Sequence, residues 1–201
     1  MWPWGHLAIG YLVYATYTRY RYDEHPAGLP AVVLAIATQF PDLIDKPLAY
    51  EVGVLPEGRA LAHSLLVAVP LCALGLWIAW RTTGWRARSG TAFAIGYATH
   101  LFGDAFWSLF ALDLDALSFL VWPVLAAPDY DTTSFEGHLE QLTESAGTVS
   151  TGTVTPFAIE WVLFVLAVGL WIWHRLPPLP GVLAAIRNGE GTAVRSSNRE
   201  S

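Results

Sequence analysis

A chain of 201 residues that is 54% hydrophobic and only 14% charged is too apolar for an ordinary soluble domain, in which about a quarter of residues are charged. A net charge of -6 with only eleven Lys and Arg excludes the concentrated basic surface of a nucleic-acid-binding protein. The single cysteine, Cys72, excludes an intrachain disulfide and a cysteine-based zinc cluster.

In chain order, the apolar segments predict an all-α, polytopic membrane protein of about five spans. The first two are short, Trp4 to Tyr17 and Leu29 to about Ile44, and cross only with tilt, local thinning or cover from neighbouring helices. Leu61 to Trp80 and Thr91 to Leu112 follow. The run from Ala116 to Ala127 is too short to cross and reads as interfacial or re-entrant. Residues 128–155, rich in Asp, Glu, Ser and Thr, read as an exposed acidic loop. The clearest span is Pro156 to Trp173, which ends on the interfacial pair Trp171 and Trp173. Residues 1–176 thus form one helical membrane domain, and 177–201 a polar, disordered cytoplasmic tail.

Arg19 and Arg21 follow the first segment, Arg81, Arg86 and Arg88 the third, and Arg175, Arg187, Arg195 and Arg199 the last. Only Lys46 and Arg59 fall on the alternate connections, so the distribution of basic residues predicts an outer N-terminus and a cytoplasmic C-terminus. No basic residue precedes Arg19, so the first segment lacks the charged start of a cleaved signal and is expected to be retained.

On that topology His6, Asp42, Asp45, His63, His100 and Asp104 come from four segments and converge on the outer side. A charged group at bilayer depth costs about 2.5–3.5 kcal/mol on insertion scales and normally lines a site or pathway. The spacing of Asp42 with Asp45, and of His100 with Asp104, puts each pair on one helix face. Imidazole and carboxylate ligands suit zinc first and manganese second, and an ion with an open position activates water. Each residue also has an ordinary structural use. His6 is equally an interfacial anchor beside Trp2 and Trp4. Asp42 and Asp45 are equally helix-end caps near Pro41 and Pro47, and His100 with Asp104 an interhelical hydrogen-bonded pair. Arg59 either holds a phosphate oxygen or offsets acidic neighbours, an ambiguity shared by Lys46. Glu160 is a polar partner or an interfacial carboxylate.

Gly5-His6, Pro41-Asp42-Leu43-Ile44-Asp45-Lys46, Arg59-Ala60-Leu61-Ala62-His63-Ser64 and Gly96-Tyr97-Ala98-Thr99-His100-Leu101-Phe102-Gly103-Asp104 together resemble the YdjM-like family of membrane-bound metal-dependent hydrolases. The likeness covers roughly residues 1–127. It implies kinship with the helical zinc phospholipase C and nuclease fold. It also implies His6, Asp42, Asp45, His63, His100 and Asp104 as metal ligands, with Ser64 and Arg59 supporting them or facing a phosphate. Where the family pattern has a histidine before the arginine, this chain has Gly58, beside Glu57, which leaves ligands for one ion or two.

The expected function is therefore hydrolysis of an ester or phosphoester of a lipid or lipid-linked substrate by metal-activated water. Asp45 or Asp104 takes the proton and Arg59 steadies charge on the substrate. The alternatives are a proton or cation transporter, and a noncatalytic scaffold whose metal or ion-pair cluster staples short helices. A transporter predicts polar residues continuing inward, whereas Val67 to Trp80 and Val162 to Trp173 carry no charge.

Overall fold

The computed structural model describes residues 1–128, 135–150 and 155–177, and among these every regular element is helical. The α-helices are α1 (Pro3–Tyr22), α2 (Gly28–Ala37), α3 (Phe40–Tyr50), α4 (Leu65–Arg81), α5 (Gly84–Ala111), α6 (Phe135–Ser150) and α7 (Pro156–Trp173), with a short 3-10 turn at Ser118–Val121. The all-α expectation holds. Of the five expected spans, two helical stretches among the described residues are long and apolar enough to cross a membrane by length and composition, Gly28–Tyr50 and Pro156–Trp173, while Leu65–Arg81 is apolar but shorter. The shortfall lies in α1 and α5, which are long but carry many small and polar residues.

Those residues serve packing. Helix α5 sits at the centre, against α4, α2 and α1, and α7 packs on α1. Its inward face is Ala92, Ala94, Gly96, Tyr97, Thr99, His100, Gly103 and Asp104. A side chain at Gly96 would meet the Ala37 methyl at 2.8 Å and the Leu34 carbonyl at 3.0 Å, and one at Gly90 would meet the Gly75 carbonyl at 2.3 Å. Small residues thus let α2 and α4 approach α5 closely, as membrane helices do where burial of apolar surface cannot hold them together. Large apolar groups point outward instead: Leu66, Val69, Leu76 and Trp77 on α4 and Val162, Val165 and Leu166 on α7 are exposed. That surface suits lipid and would be a liability in water.

Two local features differ from the sequence reading. The second apolar segment is broken at Thr38–Gln39 into α2 and α3. Pro41 has no N–H to give to the carbonyl of Ala37, which interrupts the ladder there. The acidic stretch 128–155 contains helix α6 over Phe135–Ser150, where Phe135, Leu139 and Leu142 recur at helical spacing in the sequence. The Ala116–Ala127 run forms turns around Ser118–Val121, in keeping with a piece too short to cross. The tail beyond residue 177 lies outside the described residues.

Candidate metal centre

Four elements deliver the polar groups. Helix α1 brings His6, α3 brings Asp42 and Asp45, the connection before α4 brings Arg59 and His63, and α5 brings His100 and Asp104. His6, Asp45, His63 and His100 are completely buried, and Asp42 and Asp104 nearly so. One ligand atom from each of Asp42, His63, His100 and Asp104 lies within 4.8 Å of the other three.

The hydrogen bonds behind the imidazoles decide what they present in front. His100 Nδ1 is 2.7 Å from the Thr38 carbonyl, an acceptor, so Nδ1 carries the hydrogen and donates it. His63 Nδ1 is 2.8 Å from Asp45 Oδ2, again an acceptor, so it also donates from Nδ1. With the tautomers assigned from these partners, both Nε2 atoms of the neutral rings carry lone pairs, and they face each other at 3.1 Å. Into the same space point Asp42 Oδ1, 3.5 Å from His63 Nε2 and 3.8 Å from His100 Nε2, and Asp104 Oδ2, at 3.3 and 3.7 Å from those nitrogens. Asp42 Oδ1 is buried without a hydrogen-bond partner. Four acceptor atoms facing one another repel unless positive charge lies among them, either a bound ion or a second proton on His63, whose Nε2 then donates to His100 or Asp104. Ligand atoms on a tetrahedral ion with bonds of about 2.0–2.1 Å stand roughly 3.3 Å apart, and the spacings here bracket that value.

The surrounding groups hold this arrangement in place. Asp45 accepts the backbone N–H groups of Ala60 and Ala62 at 2.9 and 2.8 Å and that of His63 at 3.2 Å, so it stands behind His63, outside the four-atom group. Tyr97 donates to the Ala62 carbonyl at 2.6 Å, pinning the same loop against α5. Ser64 caps α4 by accepting from Leu66 N–H and donates to the Trp122 carbonyl at 2.6 Å; this hydroxyl is committed to the backbone. His6 stacks on His100 with ring centroids 3.8 Å apart. Its Nε2 is 3.4 Å from Asp104 Oδ1, and neither ring nitrogen has a hydrogen-bond partner.

Three cations border the group. Lys46 Nζ lies 2.7 Å from Asp42 Oδ2, and Arg59 places Nε 3.0 Å from Asp104 Oδ2 and Nη2 3.2 Å from Oδ1. The α-amino group of Met1 is 2.7 Å from Asp104 Oδ1. Glu160 of α7 accepts the Trp2 N–H at 2.9 Å. A cavity of about 1010 Å³ opens beside the site, lined by Trp2, Trp4, Trp107 and Phe157 on its apolar side and by Lys46 and Arg59 on the other.

Four buried groups from three separate elements around one focus, with the quoted motifs in order, agree with the resemblance drawn from the sequence. The family description YdjM inner membrane protein matches residues 1–176. The chain belongs to the YdjM inner membrane protein family. No curated protein and no solved structure matches it. The match runs past the four motifs and takes in α7 with Glu160, so the last apolar helix is part of the family unit. Within that unit Gly58 has a steric reason: a side chain there would meet Tyr50 Oη at 2.3 Å and Lys46 Cγ at 3.3 Å. Histidine at position 58 would require Tyr50 to move.

Sequence reasoning missed Thr38, whose carbonyl orients His100, because any residue supplies a carbonyl. It also missed Tyr97, which lies within the last quoted motif but reads as core. The proline at 41, which breaks the helix next to Thr38, was the available signal.

Proposed function

We propose that this YdjM family member is a membrane-bound, metal-dependent hydrolase. Its substrate is an ester or phosphoester of a lipid or lipid-linked molecule, reached from the cavity beside α1 and α7, with the N-terminus and site outward and the C-terminus cytoplasmic. The single observation that carries this reading is the set of four facing ligand atoms on Asp42, His63, His100 and Asp104, which could hold a cation. Two imidazoles and two carboxylates suit zinc first, manganese second. A divalent ion held there supplies a bound water that ionises near neutral pH.

The chain's own residues do the rest. Asp45 fixes the tautomer and orientation of His63, as carboxylates behind ligating histidines do. His6, beside Asp104 with both nitrogens unengaged, is placed to take the proton of a water at the centre. Arg59 faces both Asp104 and the cavity, where it steadies negative charge on the substrate. The aromatic wall takes the apolar portion.

Metal analysis of protein purified in mild detergent tests the reading. The wild type is expected to hold about one equivalent of transition metal and His63→Ala with His100→Ala none. A wild type without metal, or a double variant that keeps it, removes the proposal. Release of product from a lipid phosphoester by the wild type, lost in the double variant, is the expected activity.

A further inference from the structure

Far from the histidines, the arginines on the side that the basic residues predict to be cytoplasmic differ in what they touch. Arg19 pairs with Asp23 at 2.7 Å, and Arg88 with both oxygens of Glu24. Arg81 at the end of α4 and Arg86 at the start of α5 have no ion-pair partner among the described residues. Each lies over an indole instead, Arg81 at 4.8 Å from the Trp80 ring and Arg86 at 5.0 Å from that of Trp85. The sequence accounts for their isolation, since no Asp or Glu occurs between Glu57 and Asp104.

Beside Arg86 a groove of about 410 Å³ follows the seam between α4 and α5, walled by Leu71, Leu74, Ile78, Trp85 and Phe93. Gly75 and Gly90 also line it. Their backbones are so close that a Cβ on Gly90 would meet the Gly75 carbonyl at 2.3 Å, and the missing side chains leave the seam open. Ser89 lines the groove too, and its hydroxyl oxygen is buried without a hydrogen-bond partner. The first turn of α5 holds no acidic residue and Thr83 gives it no side-chain cap, so the leading N–H groups add positive character at the same end.

Apolar walls below two uncompensated cations at a bilayer surface match a molecule with an anionic head and a hydrocarbon chain. Basic pockets between helices on the cytoplasmic side take anionic lipid headgroups in this way. A second copy of the chain in the same orientation brings another Arg81 and Arg86 to the same depth, which adds to the unpaired charge. We infer that the groove is a binding site for one anionic phospholipid of the adjoining leaflet, with its phosphate at Arg86 and Arg81 and an acyl chain along Leu74, Ile78 and Phe93. The site does not depend on the metal centre, because Ser89 and His100 stand roughly 16 Å apart along α5 at helical rise.

Native mass spectrometry of the full chain released from detergent, titrated with dioleoyl phosphatidylglycerol or dioleoyl phosphatidylcholine, tests this. One phosphatidylglycerol per chain is expected, bound about tenfold more tightly than phosphatidylcholine. Arg81→Gln and Arg86→Gln are each expected to lose about fivefold in affinity for it, and the double variant about 25-fold, while Arg86→Lys keeps most of it. Arg19→Gln removes the same charge from the same side but from a paired arginine, and is expected to bind like the wild type. Glycerol phosphate, the head without a chain, is expected not to compete at equal concentration. Equal affinity for the two lipids, or a loss in Arg19→Gln as large as that in Arg86→Gln, overturns the inference, because charge on that face then acts without a site. Equal competition by glycerol phosphate overturns it in favour of a free phosphate. A dimer that carries no lipid overturns it and assigns the groove to a second copy.

Discussion

Helices α5 and α7 make opposite use of the same medium. Helix α7 buries only Phe157, Glu160 and Ala167 and turns Val162, Val165 and Leu166 outward. Helix α5 buries a dozen residues, nearly all small or polar, among them His100 and Asp104. The contrast shows an inverted arrangement, with large apolar groups facing out and polar chemistry within. In lipid, an outward leucine costs nothing, whereas an inward aspartate needs every partner it can find. Hydropathy therefore marks α7 most clearly and α5 less so, although α5 organises the fold.

Substitutions at the interior should accordingly cost far more than substitutions outside. The largest effect is expected for Asp45→Ala, which strands the N–H groups of Ala60, Ala62 and His63 in a buried loop. At about 1–3 kcal/mol for each lost acceptor, denaturation in detergent should show a loss of several kcal/mol, and zinc affinity should fall by about 10- to 100-fold. Wild-type behaviour of this variant would show that the loop is held by something else. Gly96→Leu drives a side chain into Ala37 and the Leu34 carbonyl, with an expected cost of about 3 kcal/mol in the same assay, at the upper end for overpacking. An unperturbed Gly96→Leu protein would place α2 elsewhere than against α5.

Metal removal gives a smaller, titratable effect. Chelation should lower the thermal midpoint, through a loss of unfolding free energy that grows with the free metal withheld and reaches about 2.7 kcal/mol at a metal concentration one hundred times the dissociation constant. No shift on chelation would separate the four acceptor atoms from any role in stability. At the bottom of the scale, Val165→Leu on the outward face of α7 should alter stability by no more than about 0.5 kcal/mol. A large loss there would mean that α7 is covered by protein, and the contrast with α5 would fail.

Much of the candidate site was legible beforehand because its residue types are out of place. His100 and Asp104 stand out in an apolar segment, as do Asp42 and Asp45 at the end of the run from Leu29 to Ile44, and the positions of Lys and Arg predict that they share one side. Their individual roles were not legible. Asp42 and Asp45 are alike in sequence, three positions apart, yet one points an unpartnered oxygen at the imidazoles and the other spends both on N–H groups. Lys46 and Arg59 were ambiguous for the same reason, since a charge near the interface acquires meaning only from the carboxylate it touches. The helix within the acidic stretch was hidden by net charge, which outweighs periodicity when a segment is read by composition.

The sequence by itself determined the medium, the all-helical class, the family and the small set of residues able to carry chemistry. These follow from composition, local spacing and residue type, which survive without coordinates. Only the tertiary structure decided which atoms face each other, because that depends on a backbone carbonyl at Thr38, a loop wrapped on Asp45 and close helix approaches at Gly90 and Gly96. Contacts between residues far apart in the chain are set by how helices pack, and packing reads side-chain volume and backbone shape that no single segment contains.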